Sequence, residues 1–248
     1  MLPKTTRRRF VCGAVGTAVL GVAGCLESAS SLTESAVEDG QTDDDVAVDV
    51  PVDERETVTT VEDDIRSSGD VVVPADTEID GGVHADGSIV LEVDSAVDGD
   101  VHAGEHVLVG EGGAVDGDVD AGGDVGLWTA STVDGNVEAG GHAVLRTDAA
   151  VDGDLEAGGG VQLEDGADVD GDLEAGSRVH LGIGVEIDGD VTAGGRLEVG
   201  EDAAIDGDVE GGGPVEVESG AEVDGDVTGE TVAVSSSAAV DGERIETG

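Results

Sequence analysis

Between Val97 and Ala114 the chain reads VDGDVH, AGEHVL, VGEGGA, with an apolar or small residue first and fifth in each hexad. The stretch that follows directly reads VDGDVD, AGGDVG, LWTAST, and 151–168 reads VDGDLE, AGGGVQ, LEDGAD. In an 18-residue frame the apolar columns are therefore 1, 5, 7, 11, 13 and 17. Residues two apart on a strand share a face. The inward pairs are then 5/7, 11/13 and 17/1, with corners at columns 3, 9 and 15. Three short sides and three corners predict an all-β, single-stranded triangular β-solenoid in which each coil is one such frame.

The period is kept strictly. Asp-Gly pairs begin at Asp80, Asp98, Asp116, Asp134, Asp152, Asp170, Asp188, Asp206 and Asp224, each a full period after the last, and then at Asp241, one position early. Such a repeat identifies an architecture in which each unit buries its apolar face only against its neighbours. It leaves little room for the irregular loops that usually carry catalysis. Column 3 is glycine throughout, at Gly81, Gly99, Gly117, Gly135, Gly153, Gly171, Gly189, Gly207, Gly225 and Gly242. A positive φ at these corners is the expected reason, because glycine adopts it without steric cost. Val61, Ile65, Val71, Val73 and Thr77 fit the same frame, which adds a coil over 61–78. About ten coils stacked at ~4.8 Å make a rod of roughly 45–50 Å.

Two other solenoids share this period. Calcium-loaded β-rolls use two nonapeptides per turn, but here a six-residue offset, and not a nine-residue one, brings apolar onto apolar. Left-handed hexapeptide helices fit VDGDVH well, so the hand of the coil stays open.

Composition narrows the function. The chain holds 59 acidic and 10 basic residues, a net charge of −49. Such a field repels nucleic acid and anionic headgroups. Acids spread along the whole chain from Glu27 onward, with Lys4 the single lysine, point to a protein that stays hydrated in very salty water. A disordered polyacid is the alternative, and regular valine placement argues against it. Trp128 and Phe10 are the only aromatics, so a thin core of Val, Ile, Leu and Ala is expected.

The N-terminus reads as an address. Thr6-Arg7-Arg8-Arg9-Phe10-Val11 resembles the twin-arginine export motif, carried by Arg7, Arg8 and Phe10. Val11 to Ala23 is apolar but too short to span a bilayer. It runs into Val22-Ala23-Gly24-Cys25, which resembles the lipobox of prokaryotic lipoproteins. The resemblance implies cleavage after residue 24, lipidation of Cys25 and attachment to the outer face of the cytoplasmic membrane. Cleavage would remove Lys4, Arg7, Arg8 and Arg9, leaving six arginines against 59 acids. Cys12 would go with the leader, so no disulfide and no cysteine metal site is expected. Residues 25–60 carry Ser, Thr, Asp and Glu without a period and read as an acidic disordered tether, with the solenoid over 61–248.

The recurrent V-x-G-D-V-x-A, as in Val97–Ala103, Val115–Ala121, Val133–Ala139 (with Asn136) and Ile187–Ala193, resembles the bactofilins. These are polymer-forming cytoskeletal β-helices, and the resemblance covers roughly 79–245. It implies a right-handed coil and end-to-end assembly without nucleotide. An export leader departs from a cytoskeletal role, because a scaffold outside the membrane cannot organise the cytoplasm.

Candidate chemistry lies in the carboxylates and histidines. Columns 2 and 4 place acids in two ladders: Asp98 and Asp100, Asp116 and Asp118, Asp152 and Asp154, Asp170 and Asp172, Asp188 and Asp190, Asp206 and Asp208, Asp224 and Asp226. A solvated acidic edge is the plain reading, and diffuse Ca²⁺ or Mg²⁺ binding the sharper one, since hard cations prefer carboxylate oxygen. His84 and His102 share column 6 in adjacent coils, His106 and His142 share column 10, and His180 stands at column 12. Hexapeptide acyltransferases and carbonic anhydrases need protruding loops or an added helix that this chain lacks. Trp128 sits at an outward column and marks a candidate lateral contact. The expected function is thus a non-enzymatic, lipid-anchored surface scaffold that self-assembles, with no cofactor, nucleic acid or small-molecule substrate. A monomeric spacer or cation-binding module is the second reading, and a hexapeptide-class enzyme the third.

Overall fold

Val101, Ala103, Val107 and Val109 have 0%, 1%, 0% and 0% of their surface exposed. They are four of the six inward columns of one coil, and the same columns are buried in the coils on either side. The protein, seen in a computed structural model, is described over residues 55–57 and 64–248, within the compact unit Asp44–Gly248. The expected leader, Arg7, Arg8, Phe10 and Cys25 lie outside the described residues, as does the tether apart from 55–57.

Every described element is a strand, and the strands form three parallel sheets of eleven, eleven and ten members. The first face stacks columns 11–13, as in Val107–Val109, Val125–Leu127 and Ala143–Leu145. The second stacks columns 5–7, as in Val101–Ala103 and Val119–Ala121. The third, only two residues wide, stacks columns 18 and 1, as in Ala96–Val97 and Ala114–Val115. Register is a whole repeat: Val101 pairs with Val119, Val107 with Val125 and Val97 with Val115. Column 17 faces inward just before each short strand, as at Ala149, Ala167 and Ala203. The core is thus one continuous apolar column from Val71 to Val227. Each full burial of a Val or Leu side chain contributes ~1.5–3 kcal/mol.

Pairing begins before residue 61. Arg55–Thr57 lies on Asp70–Val73 at the start of the first face. The coil expected at 61–78 is present over its described part, with Ile65 opposite Val83 and Val71 opposite Ile89. The shortened last step has a definite place. Val227 still pairs a full period back with Val209, whereas Val232 pairs with Val215, one position short of a period. One residue is therefore missing from the corner at Glu230 and Thr231, where both side chains are exposed and none points into the core.

The corner glycines are in the expected column for a different reason. Positive φ does not occur at column 3; it occurs at column 16, in Asp76, Asp94, Gly112, Ala130, Asp148, Gly166, Gly184, Asp202 and Gly220. There the column-17 N–H donates to the column-14 carbonyl, as Gly113 does to Gly110 and Ser131 to Trp128. That is a turn whose third residue needs the left-handed region. At column 3 the constraint is proximity between coils. A Cβ on Gly117 would lie 2.7 Å from the Gly99 carbonyl carbon and 2.5 Å from Asp100 Oδ1.

Candidate functional site

The two carboxylate ladders differ in what they do. At column 4 the Oδ1 of Asp100 accepts the backbone N–H of Asp118 at 3.1 Å, and Asp118 accepts that of Asn136 at 2.8 Å. The series continues through Asn136, Asp154, Asp172, Asp190, Asp208 and Asp226, whose Oδ1 accepts the N–H of Glu243 at 2.7 Å. At this corner the backbone turns out of its ladder, and an amide without an acceptor would cost stability. The short Asp side chain supplies the acceptor. Asn136 serves equally because only one oxygen is used. Column 2, including Asp98, Asp116, Asp152, Asp170, Asp188, Asp206 and Asp224, is exposed and accepts no hydrogen bond from the described residues.

Near the N-terminal end Glu78, Asp80 and Asp98 bring carboxylate oxygens within 4.8 Å of one another, all exposed. Farther along, Asp168 is pushed up from its ordinary carboxylate value, first by partial burial and then by Asp170, Glu186, Asp188 and Asp152. Asp64 is pulled the other way, chiefly by the backbone N–H of Gly82, with Arg66 adding to it.

A second ladder, not anticipated from the residues, runs along the column-10 corner. Asp70 Oδ1 accepts the N–H of Ser88, and Ser88 Oγ that of His106. His106 Nδ1 then accepts from Asp124 at 2.9 Å, Asp124 Oδ1 from His142, and His142 Nδ1 from Gly160 at 2.8 Å. Two histidines that stand two coils apart are thus joined through Asp124, and both serve as amide acceptors. The signal was in the sequence: Asp, Ser, His, Asp and His recur one period apart, and each has an acceptor one or two bonds from Cβ. The remaining histidines lie on the surface. His84 and His102 have ring centroids 6.1 Å apart. His102 meets Asp120 at 3.0 Å, and His180 meets Glu198 at 3.0 Å.

Trp128, Arg146 and Glu164 occupy column 14 of three successive coils. The Arg146 guanidinium carbon lies 4.6 Å from the Trp128 ring centroid, a cation–π contact. Its Nη1 donates to Glu164 Oε1, and Glu164 Oε2 accepts from the Thr147 N–H at 3.3 Å. Trp128 Nε1 and Arg146 Nε are buried without a hydrogen-bond partner among the described residues. Trp128 therefore lies against the first face and does not stand free of it. Beside Glu164, a hollow of about 200 Å³ is lined by Thr147, Gln162, His180 and Gly182. It is shallow and polar, and within it the Thr147 hydroxyl lies 3.5 Å from Glu164 Oε2.

The chain's coils end unevenly. Val232, Val234, Ala238 and Val240 pack on the core but are only partly covered. The last strand, Arg244–Glu246, lies on Val227–Gly229, so Arg244 and Glu246 occupy columns filled by Val and Ala in earlier coils.

No curated protein and no solved structure matches this chain. Its sequence does match the bactofilins, described as polymer-forming cytoskeletal, twice in tandem, over residues 56–144 and 143–245. Those two matches cover the three-sheet coil from the strand at Arg55–Thr57 to the last strand, and the chain belongs to the bactofilin family.

Proposed function

We propose that this protein is a structural scaffold, anchored by a lipidated Cys25 to the outer face of the cytoplasmic membrane, that assembles end to end through its coils. The observation that carries the assembly is the partly covered terrace of Val232, Val234, Ala238 and Val240. Strand edges above it leave backbone N–H and C=O groups open to another chain. On the second face the inward Arg244 and Glu246 block simple strand addition, the kind of charge that protects natural edges. Contact at this end therefore runs through the first and third faces. Membership of a polymer-forming family supports the same reading. Export and lipidation rest on the motifs at Arg7, Arg8, Phe10 and Cys25. Each column-4 carboxylate gives one oxygen to an amide, so the fully open carboxylates around which divalent cations gather diffusely are those of column 2 with Glu78, Asp80 and Asp98.

Electron microscopy of the full chain and of Val234→Glu tests the assembly. Filaments in the parent, and short rods with unchanged circular dichroism in the variant, are expected. Short rods in both would reject it. Cys25→Ser should move the protein from the membrane fraction to the soluble one, and retention on the membrane would reject the anchor.

A further inference from the structure

The three lateral faces carry very different charge. Across the six coils from His106 to Gly200, the outward columns 10, 12 and 14 of the first face hold three arginines and three carboxylates. The arginines are Arg146, Arg178 and Arg196, joined there by His106, His142 and His180. Over the same coils the second face presents nine carboxylates at columns 4 and 6, and the third presents ten at columns 16, 18 and 2, neither with any arginine. The balance on the first face is made by contact. Arg146 pairs with Glu164, Arg196 with Glu198 and Glu216, and His180 with Glu198.

The same face is apolar at its outward centre. Column 12 reads Val72, Val90, Leu108, Gly126 and Val144 in successive coils before turning polar at Gln162. Val144 is 1% exposed and Gly126 is buried although both point outward, while Val90, Leu108 and Trp128 keep part of their surface. The corresponding column of the second face is polar at every coil from Arg66 to Thr228.

We infer that two copies of this chain pair side by side through their first faces. Contacts among the second and third faces would set carboxylate ladders against each other, where unit charges ~4–5 Å apart repel by about 1 kcal/mol each even in water. A first face laid on either of them would leave that ladder unbalanced. Across those six coils the charges are already cancelled within each copy, and the further acids of this face, Asp70, Glu92, Glu216 and Glu218, lie toward its two ends. Leu108, Val90 and Trp128 supply apolar surface at the centre. Both partners have the same axial repeat, so the contact holds along its length. Ten strand spacings of ~4.8 Å by a width of ~13 Å give ~600 Å² per copy, or ~1,200 Å² in total, which reaches the range of specific interfaces. A two-fold pairing of this kind is self-complementary and closed. It uses the side of the coil and does not depend on the end-to-end contact.

Trp128 is the single tryptophan, so it reports on this face directly. The test is sedimentation of the full chain over a range of concentrations, with acrylamide quenching of Trp128 and the rod width seen by electron microscopy. The expected result is paired rods whose Trp128 becomes more accessible on dilution, and a Leu108→Glu variant with unchanged circular dichroism whose pairing is weakened ~10-fold or more. Val90→Glu serves if Leu108→Glu does not fold. Single rods at every concentration would overturn the proposal, as would pairing that survives both substitutions. A single rod with Trp128 shielded at every dilution would also overturn it, and would assign the cover to another segment of the same chain. Val234 stands at an inward column of the last first-face strand, so Val234→Glu leaves the outward columns unchanged, and loss of filaments with pairing retained separates the two contacts.

Discussion

Asp100 and Asp118 stand one coil apart, and the carboxylate of the first accepts the backbone N–H of the second at 3.1 Å. Two like charges are thus neighbours in a bond that each needs. The amide at this corner has left the strand ladder, and the side chain below replaces the carbonyl it lost. The acid is kept for its oxygen, and its charge is the accompanying cost.

That distinction predicts unequal effects at one site. Asp154 Oδ1 accepts the N–H of Asp172 at 2.9 Å. Asp154→Ala should cost about 0.5–1.5 kcal/mol in denaturant unfolding, the net worth of one such bond. Asp154→Asn keeps the acceptor, as Asn136 already does in the coil before, and removes a charge. It should be near neutral in molar salt and stabilising in dilute buffer. Equal losses for Ala and Asn would refute the acceptor role.

Glycines at two corners should respond differently to an added methyl. A Cβ at Gly153 would meet Asn136 Oδ1 at 2.5 Å and the Gly135 carbonyl oxygen at 2.7 Å. Gly153→Ala must therefore spread two coils and should cost ~1–3 kcal/mol. Gly184 has φ +64° with open space around it, so its alanine variant bears only the left-handed backbone penalty of ~1–2 kcal/mol. Ala130 already bears that penalty at φ +57°. Ala130→Gly should raise the melting temperature, the gain being ~0.5–1 kcal/mol after glycine's larger unfolded-state entropy is subtracted.

Asp168 and Asp64 give pH dependences of opposite sign. The Asp168 carboxyl is raised on folding, so its charged form is disfavoured in the native state. Its stability contribution is full below the unfolded carboxylate pKa and is lost as pH rises through the raised folded value. Asp168→Asn should therefore stabilise the protein at neutral pH, with the difference from the parent closing in acid. Asp64 is lowered, so its contribution is present above the unfolded pKa and lost as pH falls through the lowered value. Asp64→Ala should destabilise at neutral pH and converge with the parent only in stronger acid. Melting curves across pH check both.

Salt should matter through column 2. Carboxylates there repeat every coil, and charges ~4.8 Å apart repel by ~0.9 kcal/mol in water. Molar salt shortens the screening length to ~3 Å. Unfolding by heat should move to higher temperature from dilute buffer to molar NaCl, and the dependence should shrink when several column-2 acids become Asn. A melting temperature indifferent to salt would show that the ladders do not strain the fold.

Much of this molecule is local information repeated. A strict period with six apolar columns determines the strands, their register and the inward set, because in a solenoid each residue's neighbours are its own counterparts one period away. That is why Val101, Val119 and Val137 could be stacked from the sequence alone, and why the glycine of each Asp-Gly pair could be placed at a corner. What the period could not give was the cause of each corner. Gly117 is required by the backbone beneath it, a distance that exists only once coils are stacked. The positive φ falls instead on Ala130 and its equivalents, where no single residue type marks it. The division of column-2 from column-4 acids was hidden too, since both read as Asp and only the geometry shows which oxygen meets an amide. The neutral first face was decided last of all. Trp128, Arg146 and Glu164 follow one another at whole periods and are inconspicuous in one dimension. They become neighbours only because the chain rises one strand spacing per turn.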